Sequence, residues 1–550
     1  MKHWAGRAFN WLPVAFAGLY LLVLIVAQGA IRESLYSNSD AAAAPAIAEL
    51  IGQAPDGSSV VLGDYAWYEG LWLLQGTGWL PFHFAVWQAI PFMLWLFTAG
   101  LAWSIVRRLT DRKAAAVTAS LVICAGLGMR GSMWTLNTHG LVALHIAILG
   151  LAMVIALQDE RWLTGVRGYG GAVAIGLITA PGATDQLLPL LGIGPLLLAG
   201  IALWARRGEP ALARLAFIVA GVSVVGAALL TNLARNAGIA STGRVFPFVD
   251  GDGIMGHLGI LTPALAQMVA HSPFGEVIGA RSVVAMAGGL TALFAAALVL
   301  HAGVRQSKRA LWPERFGLVA EPDTILAKAP DPGAAFAGAA VFFTAVLVAN
   351  LLAWTFTSAP YDINGNRYLV GGWLAVCVLG PVLAVRLDLR WVATAGAIIV
   401  CFAATAELVH EPRSTASSQF PTEQDASAIL QFAQEHGATR GYASYWDAEA
   451  LMWHTRFDLK LYPIVACPTP EAPGKNCPFT LHVISSWFTP GTAPTILVTD
   501  TVQPGQPLVD ARYGVPTATG QFGRYTAYVF SHDIASELGG EFITTMAPGY

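Results

Sequence analysis

The feature that most constrains this chain is a succession of apolar stretches, each long enough to cross a lipid bilayer and separated by short polar connections. About 20 apolar residues cross the hydrocarbon core as a helix. By that measure roughly 11 spans are expected, near residues 11–31, 84–106, 114–129, 139–157, 168–183, 187–205, 215–233, 283–304, 334–356, 368–385 and 391–410. Composition agrees, with 55% of the 550 residues hydrophobic and 12% charged, where soluble proteins carry about 25% charged residues. A formal net charge of −3 provides no concentrated basic face for phosphates, so a nucleic-acid partner is not expected.

Orientation follows from where the positive charges fall, because short cytoplasmic loops are rich in Lys and Arg. Lys2/Arg7, Arg107/Arg108/Arg112/Lys113, Arg161/Arg167, Arg206/Arg207/Arg214, Arg305/Lys308/Arg309/Arg315 and Arg386/Arg390 all lie on one side of the expected spans. The opposite side is nearly bare of such clusters. An odd number of spans puts the N-terminus inside and the tail from Glu411 outside. The expected fold is therefore an α-helical polytopic membrane protein with a C-terminal soluble α/β domain. Residues 1–410 form the membrane domain, with exported loops 35–83 and 234–280, and residues 411–550 form the exported domain.

The tail is of different material, polar and rich in Pro, Thr and Gly. Thr422 and Asp425 predict a helix start, and Gly437 its stop. Strands are predicted at 441–445, 459–466, 481–485 and 495–499, with a short helix at 447–454. Of five cysteines, Cys124, Cys377 and Cys401 lie in apolar spans and read as inert small side chains. Cys467 and Cys477 flank a Pro-rich loop outside the cytoplasm, where disulfides persist, and are expected to pair.

Ionisable residues at the exported ends of spans are informative, since a charge near a bilayer is costly without a partner or a task. Asp40 stands just beyond the first span, before four alanines and Pro45, at the start of a helix expected to lie along the membrane surface. Its alternative role is an N-cap. Asp64 and Glu69 lie among Trp67, Tyr68, Trp72 and Trp79, where an interfacial aromatic belt is the competing explanation. Asp185 sits in a tight hairpin after Pro181 and Gly182, as a functional acid or a helix cap. Asn137-Thr138-His139-Gly140 brings His139 to the mouth of the fourth span, as a functional group or a structural hydrogen-bonder. Arg367, followed by Tyr368, precedes the tenth span. Its planar guanidinium suits a phosphate, or a salt bridge to Asp362 or a lipid headgroup contact. Asp250-Gly251-Asp252-Gly253 reads as a turn, because Leu261 stands where a calcium loop requires a bidentate glutamate. There is no P-loop, dinucleotide fingerprint or His-Glu-X-X-His motif.

Asp40 in Ser37-Asn38-Ser39-Asp40, the Ala183-Thr184-Asp185 hairpin and Asn366-Arg367-Tyr368-Leu369 together resemble the membrane-integral C-type glycosyltransferases. That superfamily includes the protein O-mannosyltransferases and the lipid A aminoarabinose transferase. Gly441-Tyr442-Ala443-Ser444-Tyr445-Trp446-Asp447-Ala448 resembles a segment of exported domains in bacterial proteins of this type. Members often carry an acidic pair in the first exported loop. Here alanine follows Asp40, so a second carboxylate is expected from Asp64, Glu69 or Asp185.

The resemblance implies transfer of a sugar from a polyprenyl-phosphate donor to a glycan, lipid or protein acceptor on the exported face of a bacterial inner membrane, with inversion. Asp40 and Asp185 are the expected catalytic carboxylates, with Asp40 the base. Asp64, Asn137, His139, Arg367 and Tyr368 are the expected substrate-binding residues, with Arg367 on the lipid phosphate. These residues identify no particular cofactor, and a divalent metal is compatible with them. The competing functions are a lipid-linked glycan polymerase or ligase, a lipid-linked-sugar transporter, and a scaffold displaying the tail. A transporter predicts intramembrane charges and discontinuous helices, whereas the candidates here gather at one rim.

Overall fold

A computed structural model describes residues 2–28, 31, 39–62, 84–124, 126, 139–162, 165–207, 210–241, 247–270, 279–311, 333–358, 360, 363–410, 421–467, 474–479, 481–501 and 506–539. Asp64, Glu69, Asn137 and Asp362 lie outside the described residues. In chain order the helices are α1 (Lys2–Val26), α2 (Ser39–Leu50), α3 (Phe84–Leu109), α4 (Arg112–Ile123), α5 (Gly140–Gln158), α6 (Gly165–Thr179), α7 (Gly194–Arg207), α8 (Ala211–Asn236), α9 (Gly251–Gln267), α10 (Ala280–Leu311), α11 (Ala334–Phe356), α12 (Val370–Arg386), α13 (Arg390–His410), α14 (Glu423–Glu435) and α15 (Tyr445–His454). The strands are β1 (Val60–Leu62), β2 (Ile239–Ser241), β3 (Arg440–Ala443), β4 (Lys460–Ala466), β5 (Asn476–Pro478), β6 (Val483–Ile484), β7 (Thr495–Asp500), β8 (Ala518–Phe522) and β9 (Tyr525–Phe530).

The chain divides into two compact units, one comprising 1–27, 89–230 and 245–412, the other 28–88, 231–244 and 413–550. The first is helical. Among its described residues, seven helices are long and apolar enough to cross a membrane, and Trp11–Val26 and Pro189–Ala205 are shorter apolar helices. Helix occupies at least part of every stretch expected to span. Two of the short ones are α4, of 12 residues, and α6, of 15. At 1.5 Å per residue these extend about 18 and 22 Å, less than the ~30 Å hydrocarbon core. α6 stops at Thr179 because Pro181 has no N–H and disfavours helical geometry in the residue before it. α1 packs on α13, α10 on α11 and α13, and α11 on α5, α7 and α12. Small residues permit the close approaches: a Cβ on Gly176 of α6 would meet Val222 of α8 at 2.6 Å, so the two helices touch nearly backbone to side chain. Asp250 caps α9, accepting from the Gly253 N–H at 2.9 Å, which accounts for the Asp-Gly-Asp-Gly run without a metal.

The second unit is built from three separated stretches. Its larger sheet has the order β5-β4-β3-β7-β9-β8, parallel across β4-β3-β7 and antiparallel at the other pairings. α14 opens with a reciprocal capping box between Thr422 and Asp425, and Gly437 follows it at φ +73°, the left-handed position glycine fills at helix ends. A smaller sheet, β2-β1-β6, pairs β1 parallel to β2 and antiparallel to β6. The stretch after the first apolar segment thus belongs, in space, with the C-terminal stretch.

α2, the helix expected at Asp40, is covered on nearly every side. Ser39, Ala41 to Ala44, Pro45, Ala46, Ile47, Ala48 and Leu50 are all buried, and α15 packs directly on it. The alanines explain this: with only methyl groups to place, neighbours approach the helix on every side, and burying a methyl costs no rotamer entropy.

Candidate functional site

Asp40 occupies the first turn of α2 and is half-buried. The Tyr445 hydroxyl donates to its Oδ1 at 2.7 Å, across 405 residues of sequence. The same hydroxyl lies 3.2 Å from His482 Nδ1, and the His482 and Tyr445 rings stack with a 17° interplanar angle. Tyr445 is the first residue of α15 and Glu449 follows one turn later, so both lie on one face of that helix. Glu449 is wholly buried, and neither of its carboxyl oxygens has a hydrogen-bond partner among the described residues. Burial pushes this carboxyl well above the carboxylate range. Its own backbone N–H, His482 and Ser39 oppose the shift, and Asp40 adds slightly to it. The Ser39 hydroxyl is near Glu449 without meeting hydrogen-bond geometry. A buried carboxyl so poorly satisfied costs stability, a common mark of functional sites.

The Tyr445 ring is supported from behind. It packs with Val465, Cys477 and Phe479, against which Trp446, Cys467 and Leu481 also pack. Cys467 and Cys477 are bonded to each other, with Cα atoms 5.2 Å apart. Gly539 lies against that bridge, its Cβ position 2.7 Å from Cys477 Sγ. On the same helix, Asp447 is sealed in. It accepts from Ser444 at 2.5 Å, Tyr525 at 3.2 Å and Gln506 at 3.3 Å, with Arg524 at 3.6 Å. Burial pushes its carboxyl up to about 6, more than Ser444, Gln506 and Arg524 lower it. Arg524 also pairs with Asp500 at 2.9 Å.

A separate polar cluster forms in the helical unit. His139 Nδ1 is 3.0 Å from Asp185 Oδ2, and the Leu187 N–H donates to Asp185 Oδ1 at 2.8 Å. Both side chains are sealed, at 0% and 2% exposure. The hairpin carrying Asp185 is pinned below by the Thr179 and Ser223 hydroxyls, 2.5 Å apart. His139, at φ +61°, turns its ring to within 4.8 Å of the Tyr368 ring. The Arg367 guanidinium stands 5.4 Å from the centroid of Tyr368, within cation–π range. Asn350 on α11 donates to the Tyr368 carbonyl and accepts from the Gly372 N–H, each at 2.5 Å, which fixes the turn that presents Arg367 and Tyr368.

Of the residues singled out from sequence, Asp185, His139, Tyr368 and Arg367 gather in one unit and Asp40 lies in the other. Asp64 and Asn137 lie outside the described residues. Sequence reasoning passed over Tyr445 as a partner of Asp40, and Glu449, His482 and Asn350 altogether. Asn350 had a legible signal, as a lone amide within an apolar span. His482 had none, since it reads as one residue of a predicted strand. A pair between half-buried Arg281 and buried Glu407, with N···O 2.8 Å, was also passed over. Among the described residues, no group of three or more His, Cys, Asp or Glu side chains is placed to hold a metal ion.

No family model matches the sequence, and no curated protein matches it. Among solved structures, the chain is similar to the oligosaccharyltransferase of Archaeoglobus fulgidus in complex with Zn and sulfate. The TM-score is 0.43 at 14% identity, over 82% of this chain and 62% of that one. The same enzyme tethered to an acceptor peptide containing an NVT sequon gives a TM-score of 0.41 at 12% identity, over 84% of this chain and 64% of that one. The chain thus spans less than two thirds of the length of the proteins it matches, and both TM-scores are too low to establish a shared fold.

Proposed function

We propose that this chain is a membrane glycosyltransferase that moves a sugar from a polyprenyl-phosphate donor to an acceptor hydroxyl on the exported face of a bacterial inner membrane, with roughly 11 spans, its N-terminus inside and residues 411–550 outside. The observation that carries the reading is Asp40, a half-buried carboxylate at the start of a buried helix, held by a donated hydrogen bond and flanked by a second, buried carboxyl. In the reaction the acceptor oxygen forms a bond to the anomeric carbon. The bond from that carbon to the phosphate oxygen breaks, its electron pair leaving with the polyprenyl phosphate, and the acceptor proton passes to Asp40. General-base assistance of this kind contributes ~10²- to 10⁴-fold.

Arg367 is the group assigned to the lipid phosphate, because a guanidinium offers paired donors to phosphate oxygens. Asp185 and His139 are assigned to holding the turn beside it rather than to proton transfer, since each Asp185 oxygen is already engaged. Asp64 and Asn137 remain candidate acceptor contacts. No step is routed through a metal.

The test uses the full chain in lipid nanodiscs, supplied with the radiolabelled lipid-linked sugars and acceptors extracted from its native membranes. Release of polyprenyl phosphate coupled to labelling of an acceptor is expected. Asp40→Asn is expected to abolish it while leaving expression and insertion intact. Full transfer by Asp40→Asn would sink the assignment. Labelled donor crossing a sealed vesicle unchanged would favour transport instead.

A further inference from the structure

The hydroxyl of Tyr445 has one proton, and both Asp40 and His482 lie within its reach. It is 2.7 Å from Asp40 Oδ1 and 3.2 Å from His482 Nδ1. An ionised carboxylate only accepts, so the proton goes to Asp40 over the shorter distance. The hydroxyl oxygen then receives a hydrogen bond, and His482 Nδ1 must carry the hydrogen that supplies it. The chain of bonds therefore has one direction, from His482 through Tyr445 to Asp40. Three segments distant in sequence converge to make it: α2, α15 and the residue before β6.

The surroundings are built to hold this arrangement. His482 is 3% exposed and sits at φ +56°, a backbone region that costs a non-glycine residue ~1–2 kcal/mol. Val483 and Ile484, immediately after it, pair with β1, and β1 lies beyond α2 in the same loop. The Tyr445 ring is wedged between Trp446, Phe479 and His482 at centroid distances of 5.2, 5.1 and 6.4 Å. Among the described residues, the titratable groups facing the chain of bonds include Asp40 from α2 and Glu449 from α15, with His482 itself. Glu49, at the far end of α2, is associated with Lys460.

We propose that Tyr445 and His482 are positioning residues that hold Asp40 oriented to receive the acceptor's proton, so that the C-terminal stretch completes the catalytic site. The proposal rests on the reading of Asp40 as base. It assigns to residues 413–550 a direct part in the chemistry, which neither loop proximity nor disulfide bonding alone would require.

Two variants test it in the full chain in nanodiscs, with the native lipid-linked sugar extract as substrate. Tyr445→Phe keeps the ring packing and removes only the hydroxyl. It is expected to lower kcat about 10-fold with KM unchanged, and to move the acid limb of the pH profile upward by about one unit, because a hydrogen bond to the charged form is lost. His482→Asn retains a donor and tolerates the left-handed backbone, and is expected to keep activity within about 3-fold, whereas His482→Ala falls with Tyr445→Phe. Retention of the Cys467–Cys477 bridge and the melting temperature establish that each variant is folded. Where Asp40→Asn abolishes transfer but Tyr445→Phe leaves kcat and the acid limb in place, the inference is overturned and the reading of Asp40 stands. Where Asp40→Asn retains full transfer, both fall. A loss in His482→Asn as deep as in His482→Ala also overturns the proposal.

Discussion

Asp185 and Asp40 each belong to a cluster with a histidine held in the left-handed backbone region, at φ +61° and +56°, yet their circumstances are opposite. Asp185 touches its histidine directly, has both oxygens engaged and is shut away from solvent. Asp40 reaches its histidine through a tyrosine, is half-buried, and has beside it a carboxyl that burial pushes upward. The first arrangement suits a lock on a hairpin. The second suits proton transfer, because a base has to be both held and reachable. Two acids of similar promise in the sequence are separated by what occupies their lone pairs.

The comparison breaks most sharply on activity. Asp40→Asn is expected to cut transfer by about three orders of magnitude, equivalent to ~4 kcal/mol in the barrier, with little change in melting temperature. Comparable loss of turnover in Asp185→Asn, at unchanged stability, would erase the distinction and return Asp185 to the catalytic group.

Stability is the converse measurement. Asp185→Ala removes the carboxylate that His139 and the Leu187 N–H both meet, and taking one partner from a buried hydrogen bond costs ~1–3 kcal/mol. Thermal unfolding in detergent should show that loss for Asp185→Ala and not for Asp40→Asn. An Asp185→Ala protein that melts with the wild type would mean that the His139 contact is incidental.

Much of the helical unit is legible in the sequence because its determinants are local. An apolar stretch of sufficient length declares a helix, and Pro181 ends α6, whereas Asp250-Gly251-Asp252-Gly253 reads as a turn in the sequence and is the capped start of α9 in the structure. The capping box at Thr422 and Asp425 is equally local. The polar cluster around Asp185 is partly legible, since each member stands at the end of an apolar segment. The Asp40 cluster is not. Its hydrogen bond to Tyr445 crosses 405 residues, and no spacing rule relates an alanine-rich loop to a helix in a distant tail. Glu449 illustrates the point. A second carboxylate was sought in the first loop or the Asp185 hairpin, and the structure brings one to Asp40 from α15. Four alanines after Asp40 read as the start of a surface helix, and only the packing of α15 upon them shows why they are small.

The disulfide supplies a third contrast, because it lies behind Tyr445 and has no counterpart behind His139. Closing a loop of this length stabilises by about 3 kcal/mol in the chain-entropy account. Reduction, or Cys467→Ser with Cys477→Ser, should lower the melting temperature of the second unit and loosen the Tyr445 ring. Transfer should fall with it, while hydrogen exchange around His139 stays unchanged. Gly539→Ala, which presses a methyl against the Cys477 sulfur, should produce a milder form of the same change.

The smallest expected effect is a dependence on pH that originates on the face of α15 away from Asp40. Burial raises the Asp447 carboxyl from 3.8 to about 6, so the folded chain binds that proton more tightly than the unfolded one. The resulting stabilisation is complete below the unfolded value, fades as pH rises towards 6, and is absent above it. Two units amount to roughly 2–3 kcal/mol, so the second unit should melt progressively lower between about pH 4 and pH 6. Asp447→Asn should flatten that slope, since the amide keeps the contacts to Ser444 and Tyr525 without titrating. Glu449, raised for the same reason, contributes with the same sign, and Glu449→Gln isolates its share. A slope that survives both substitutions would show that it does not come from ionisation on α15. A slope removed by Asp447→Asn, with the acid limb of transfer left where it is in the wild type, would separate the stability of the helix from the chemistry it supports.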